Sequence, residues 1–296
     1  MREDAWPRHC RAALTAVVAE AAQQYPHLGD PAPQRVHDVR RTLKQARAIA
    51  RLFLKSMGEP ARVTIAALAA TRRQVGRARD LDAMKLRLEK LAPPSEFAAP
   101  LAAAIRRERL AAGRARGDFA ARASRPRLNA IVKRVEAWDL SGFASEEMVE
   151  AVARTYRQAR RRGRLAFETG EPAALHALRS RVVDLRYQLA ALAPAWPAAL
   201  NAQAEELDAL RDTLGAFNDL EVLAKFAAER GELPAAALAD LMDRLGSKQK
   251  KLKRRAKIAF DRLFAEAPAA FAERLSAYLE RPMEKLTPAD KEQSKA

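Results

Sequence analysis

Cysteine is nearly absent from this 296-residue chain: Cys10 stands alone, so no internal disulfide can form. Such usage fits a reducing compartment. Glycine is scarce at 11 residues, and the runs of valine, isoleucine, threonine and aromatics that make strands are missing. These absences argue against a β-rich architecture and favour an all-α chain. Aromatics are 6% of residues, which leaves little on which nucleic-acid bases would stack. No stretch approaches 18 uninterrupted apolar residues, so no membrane span is expected. The start, Met1-Arg2-Glu3-Asp4-Ala5-Trp6, lacks the basic region and apolar run of a signal peptide. The expected location is cytoplasmic.

What the chain has in excess is positive charge. Its 54 lysines and arginines against 37 acids leave a formal +17, with an isoelectric point near 10.5. That balance speaks about partners and not about fold. The candidate partners are nucleic acid, an anionic membrane surface and polymeric phosphate. Hydrophobic residues make up 49%, enough for a substantial core in one large domain or two ordinary ones.

The sequence also repeats itself. His37 and His176 open two similar segments 139 residues apart, and the offset holds without a gap well beyond them. Arg40 maps to Arg179, Arg47 to Arg186, Arg72 to Arg211, Gly76 to Gly215 and Asp80 to Asp219. Two copies are too few for a solenoid. Two helical bundles about an approximate twofold axis are expected, with their basic stripes brought into one surface.

Prolines divide the chain. They place helices near 3–25, 33–57, 60–91, 95–123 and 127–137, then near 145–168, 172–192, 198–230, 234–266 and 268–280. The expected organisation is one unit over 1–283, with repeat one over about 1–140 and repeat two over about 141–283. Residues 284–296 read as a flexible polar tail.

On a helical wheel, Arg40, Lys44, Arg47 and Arg51 fall within about 80° of His37. Arg41 flanks them. Val39, Leu43, Ala46, Ala50 and Phe53 make the neighbouring apolar face, so the stripe borders the core and can line a groove. A solvated face would mix both signs at i,i+4, whereas this stripe is all positive. Arg154, Arg157, Arg161 and Arg164 form a further stripe, flanked by Arg160. Lys248, Lys251 and Arg255 share one face of a basic run that covers several faces. A metal site at either histidine is disfavoured, because both are followed by basic residues at i+3 where a further ligand would stand. Asp80 and Asp219 read as helix contacts that fix neighbouring arginines, since no nucleophile or phosphate loop accompanies them.

The His-x-x-Arg helix starts at His37 and His176, the segment ending at Asp82, and Leu214-Gly215-Ala216-Phe217-Asn218-Asp219 carry a resemblance. So does Thr155-Tyr156-Arg157-Gln158-Ala159-Arg160-Arg161. Together they resemble the CHAD family, the conserved-histidine α-helical domain, over about Trp6 to Pro282. The resemblance implies two four-helix bundles around a pseudo-twofold axis with a basic central surface. It implies binding of inorganic polyphosphate and association with polyphosphate granules. It assigns the ligand role by position to His37, Arg40, Lys44, Arg47, His176, Arg179 and Arg186. Ser180, Val183 and Asp184 depart from the first copy and remove positive charge there; the Arg154–Arg164 helix is expected to compensate.

The function expected is therefore non-catalytic polyphosphate binding, with no metal, no cofactor and no catalytic residue. A nucleic-acid binder is the first rival, although no helix-turn-helix or zinc pattern is present. An enzyme of polyphosphate metabolism is the second, and would need metal-binding carboxylates or a placed nucleophile.

Overall fold

In a computed structural model, the described backbone covers residues 5–24, 33–74, 85, 88–89, 95–114, 117–230 and 233–280. Those residues are helices and their connections, with no strand among them. In chain order the helices are α1 (Ala5–Gln24), α2 (Pro33–Ala50), a short α3 (Leu54–Met57), α4 (Glu59–Gln74), α5 (Ser95–Arg114) and α6 (Gly117–Glu136). They continue as α7 (Ser145–Thr169), α8 (Pro172–Leu192), α9 (Pro197–Arg230), α10 (Ala235–Leu263) and α11 (Pro268–Leu279). The expected breaks after Trp138 and at Pro172, Pro197, Pro234 and Pro268 all fall at helix ends. Pro172 and Pro268 each open a helix in its first turn, where the missing N–H costs nothing.

Two expected boundaries are corrected. The helix expected over 33–57 stops at Ala50, tightens into a 3-10 turn at Arg51–Phe53, and resumes as α3. Gly58, at φ 55°, ends it. Pro126 does not divide the chain: α6 runs through it. Arg125, Pro126 and Arg127 are exposed, so water can take the carbonyl bond that proline gives up. The expected tail, 284–296, lies outside the described residues, as do Asp80 and Asp82.

Helix α1 packs on α2 and α6, and α2 packs on α4; α7 packs on α8 and α11, and α8 packs on α9. The two sets meet where α2 crosses α8. The main core runs through this meeting, from Leu14 and Leu43 to Leu178, Leu185 and Leu189. Phe53 sits at its centre, with Trp138 and Phe143 at 5.1 and 5.4 Å between ring centres. Tyr156 stacks on Phe271 at 4.1 Å and donates its hydroxyl to the Glu266 carbonyl at 3.0 Å, anchoring α11 to α7. Trp6 Nε1 donates to the Leu279 carbonyl at 2.9 Å, tying the start of α1 to the end of α11. A second core joins α5, α9 and α10 through Leu101, Ile105, Leu223 and Leu245. Among the described residues no helix is long and apolar enough to cross a membrane.

Candidate anion-binding site

Beside the main core, the α2–α8 crossing carries a separate small apolar patch: Ala48 against Val183 and Tyr187. Small residues let the helices approach, and the long basic side chains beside them are turned to one edge. There Arg40, Arg41 and Lys44 of α2 face Arg179 of α8 and Arg211 of α9 across a cleft of about 100 Å³. Tyr187 and Val183 form part of its wall, and Asp212 and Asp219 are its carboxylates. Five cations therefore converge on a space holding two acids. Gly215 sits where α9 comes closest: a Cβ there would lie 3.2 Å from Arg179 Nε and Nη2, so glycine gives the guanidinium its place.

Behind the cleft lies a second tier of arginines. Asp184, 1% exposed, accepts both Arg51 Nη1 bonds at 2.7 and 2.8 Å and pairs with Arg181 at 2.8 Å. Gln188 donates to the Ala48 carbonyl at 3.1 Å and locks the crossing. Asp208 lies 2.6 Å from Arg186 and 3.1 Å from Arg211, which also meets Asp212 at 2.8 Å. These contacts do not satisfy the arginines. Nε of Arg47, Arg72, Arg181 and Arg211, and Nη1 of Arg186, are buried without an aligned hydrogen-bond acceptor. Burial and the neighbouring Arg51 push Arg47 down to about 10, with Asp184 opposing and Arg72 and Arg181 adding to the fall. Burial likewise lowers Arg181.

The internal repeat explains the imbalance. Asp184, Asp208 and Asp212 stand in the second copy where the first has Gln45, Ala69 and Arg73. Asp184 serves both copies, bonding Arg51 of the first and Arg181 of the second. At the equivalent positions the first copy carries no acid, and the charge of Arg72 reaches Arg47.

The remaining expected residues divide clearly. His176 is exposed, with Nδ1 3.1 Å from Asn218 Oδ1, one residue from the cleft carboxylate Asp219. The side chain of His37 lies outside the described residues. Arg51 and Arg186 reach the site from behind, each on an aspartate. Arg154, Arg157, Arg161 and Arg164 occupy the outer face of α7 and do not line the cleft. Arg154 pairs with Glu150 at 3.2 Å, and Arg160 Nε donates to the Phe264 carbonyl at 2.9 Å. Lys248 is exposed on α10, and Lys251 and Arg255 line a different groove. Arg211 and Gly215 were legible only as repeat markers. The signal was their retention, with Arg72 and Gly76, at positions whose neighbours differ between copies. Tyr187 and Asp212 carried no such signal. Among the described residues no cluster of three His, Cys, Asp or Glu side chains is placed to hold a metal ion.

Among the described residues the protein is all-α, with a cationic cleft where two helix sets cross. The CHAD domain model matches residues 12–228, and the chain belongs to that family. No curated protein sequence matches it. Helices α10 and α11 lie beyond the matched span yet pack into its core through Phe260 and Phe271.

Proposed function

We propose that this protein binds inorganic polyphosphate without transforming it, and that binding carries it to polyphosphate granules. The observation that supports this reading is the cleft itself, with five convergent cations and two acids, backed by arginines whose donors are unsatisfied. Crowded, partly buried cations repel one another, and a polyanion at the rim offsets that repulsion. Arginine suits phosphate because its fork donates two parallel bonds. The core of the site is Arg40, Arg41, Lys44, Arg179 and Arg211. The two helix sets are in this reading related by an approximate twofold axis through the α2–α8 crossing. Matching contacts of α1, α2 and α4 with those of α7, α8 and α9 support it.

Fluorescence anisotropy with end-labelled polyphosphate tests the reading. Arg40→Ala, Lys44→Ala and Arg47→Ala combined should weaken binding by at least tenfold with an unchanged circular dichroism spectrum. Duplex DNA or RNA should compete poorly at equal phosphate concentration, and no orthophosphate or ATP should form with ADP present. Equal competition would move the function to nucleic acid, and phosphate release would make the protein an enzyme. Granule association is checked by colocalisation of a fluorescent fusion with stained polyphosphate.

A further inference from the structure

A second groove, of about 590 Å³, shares no residue with the arginine cleft. It runs between α9 and the second half of α10. Its α9 wall is Glu206, Ala209, Leu210 and Thr213, spaced i, i+3, i+4, i+7. Its α10 wall continues that spacing from Lys251 to Leu263, about 18 Å at 1.5 Å per residue. Two helices thus present contiguous stripes of the kind a third helix packs against. No described helix fills that seam.

The chemistry of the groove is two-sided. Leu210 is 0% exposed at its floor, Thr213 is satisfied by the Ala209 carbonyl at 3.0 Å, and Ile258 stands 50% exposed in the wall. Along the rim stand Lys251, Arg254, Arg255 and Arg262, none of which pairs with an acid among the described residues. Two other cations of α10 are matched, Arg244 with Asp240 at 2.9 Å and Lys257 with Asp261 at 2.6 Å. Glu206 is the groove's one carboxylate.

We propose that this groove docks an acidic amphipathic helix of a partner protein. The helix would place apolar residues at i, i+3 or i+4 and i+7 on Ala209, Ile258 and Leu263, with Asp or Glu flanks on the four cations. A bare phosphate polymer fits less well, because it would cover apolar surface and gain nothing from it. A bilayer surface cannot enter a concave seam. Residues 281–296 of the chain carry a net +1 and two prolines, the wrong sign and shape for the place. The proposal does not rest on polyphosphate binding and stands or falls separately.

The test is anisotropy of a labelled helical peptide with leucines on one face and glutamates beside them. A permuted peptide of the same composition with scattered leucines is the control. The amphipathic peptide should bind one to one and at least tenfold tighter than the control. Ile258→Asp, and Arg255→Glu with Arg262→Glu, should each weaken it at least tenfold, while Arg40→Ala with Lys44→Ala leaves it unchanged. All three positions are exposed, and circular dichroism confirms that the variants fold. Equal binding of both peptides, or indifference to Ile258→Asp, overturns the proposal. So does Ile258-dependent binding to phosphatidylglycerol vesicles without peptide preference, which would assign the groove to a membrane.

Discussion

Arg47 is the side chain at which folding and binding pull in opposite directions. Its Nε is buried and unaccepted, and burial together with nearby Arg51 and Arg72 pushes its pKa down to about 10, so it stays charged at neutral pH. Replacing it by Met keeps an unbranched stem in the same packing and removes the charge. Relieving a poorly compensated buried charge is worth about 1–2 kcal/mol by analogy with buried ion pairs replaced by apolar groups. Arg47→Met should therefore raise the melting temperature of the free protein and weaken polyphosphate binding several-fold. Differential scanning fluorimetry and anisotropy on one preparation check both. A lower melting temperature would show that the charge is already compensated without ligand. The helical wheel placed Arg47 in the stripe from sequence alone. It could not show that Asp184, 137 residues later, reaches back to Arg51, because that contact exists only once α2 and α8 cross.

At the scale of elements, the helices were legible because proline and periodicity are local signals, and their packing was not. Gly163 lies in the middle of the basic helix α7, where glycine costs about 1 kcal/mol of helix propensity. Its reason is on α10: a Cβ at this position would overlap the ring of Phe260. That ring cannot step aside easily, since Phe264 stacks on it at 4.9 Å and Phe167 lies 5.3 Å away. Gly163→Ala gains helix propensity but forces this contact apart, and overpacking of this kind costs about 1–3 kcal/mol. Urea denaturation should show a net loss of stability, with little change in polyphosphate affinity because the contact is remote from the cleft. A gain in stability would mean that α10 can shift away from α7 freely. Pro126 makes the complementary point. Its local signal is a break, but on an exposed stretch of α6 the lost bond is replaced by water, and the helix continues.

At the scale of the whole molecule, the sequence carries two unequal copies of one segment, and the cleft draws residues from both. The 139-residue offset, visible in sequence, pairs Arg40 with Arg179 and Arg72 with Arg211. The expectation that the Arg154–Arg164 helix supplies what the second histidine helix lost finds no support in the cleft, whose lining comes from α2, α8 and α9. The second copy adds Asp184, Asp208 and Asp212, and Asp184 serves both copies, pairing with Arg51 as well as Arg181. In the proposed reading, crowded cations repel one another until a polyanion binds, so ligand and fold are linked. Saturation at one hundred times Kd adds about 2.7 kcal/mol of stability. For a chain of this length that corresponds to a rise in melting temperature of roughly 4 °C. The rise should shrink steeply as salt increases from about 50 to 200 mM, because binding releases counterions from the phosphate chain. Orthophosphate at equal phosphate concentration and ionic strength should give a much smaller rise, since it lacks the linked charges of the chain and releases fewer counterions. An equal rise with orthophosphate would reduce the cleft to a single-anion site, and a salt-independent rise would show that charge neutralisation is not what stabilises the complex.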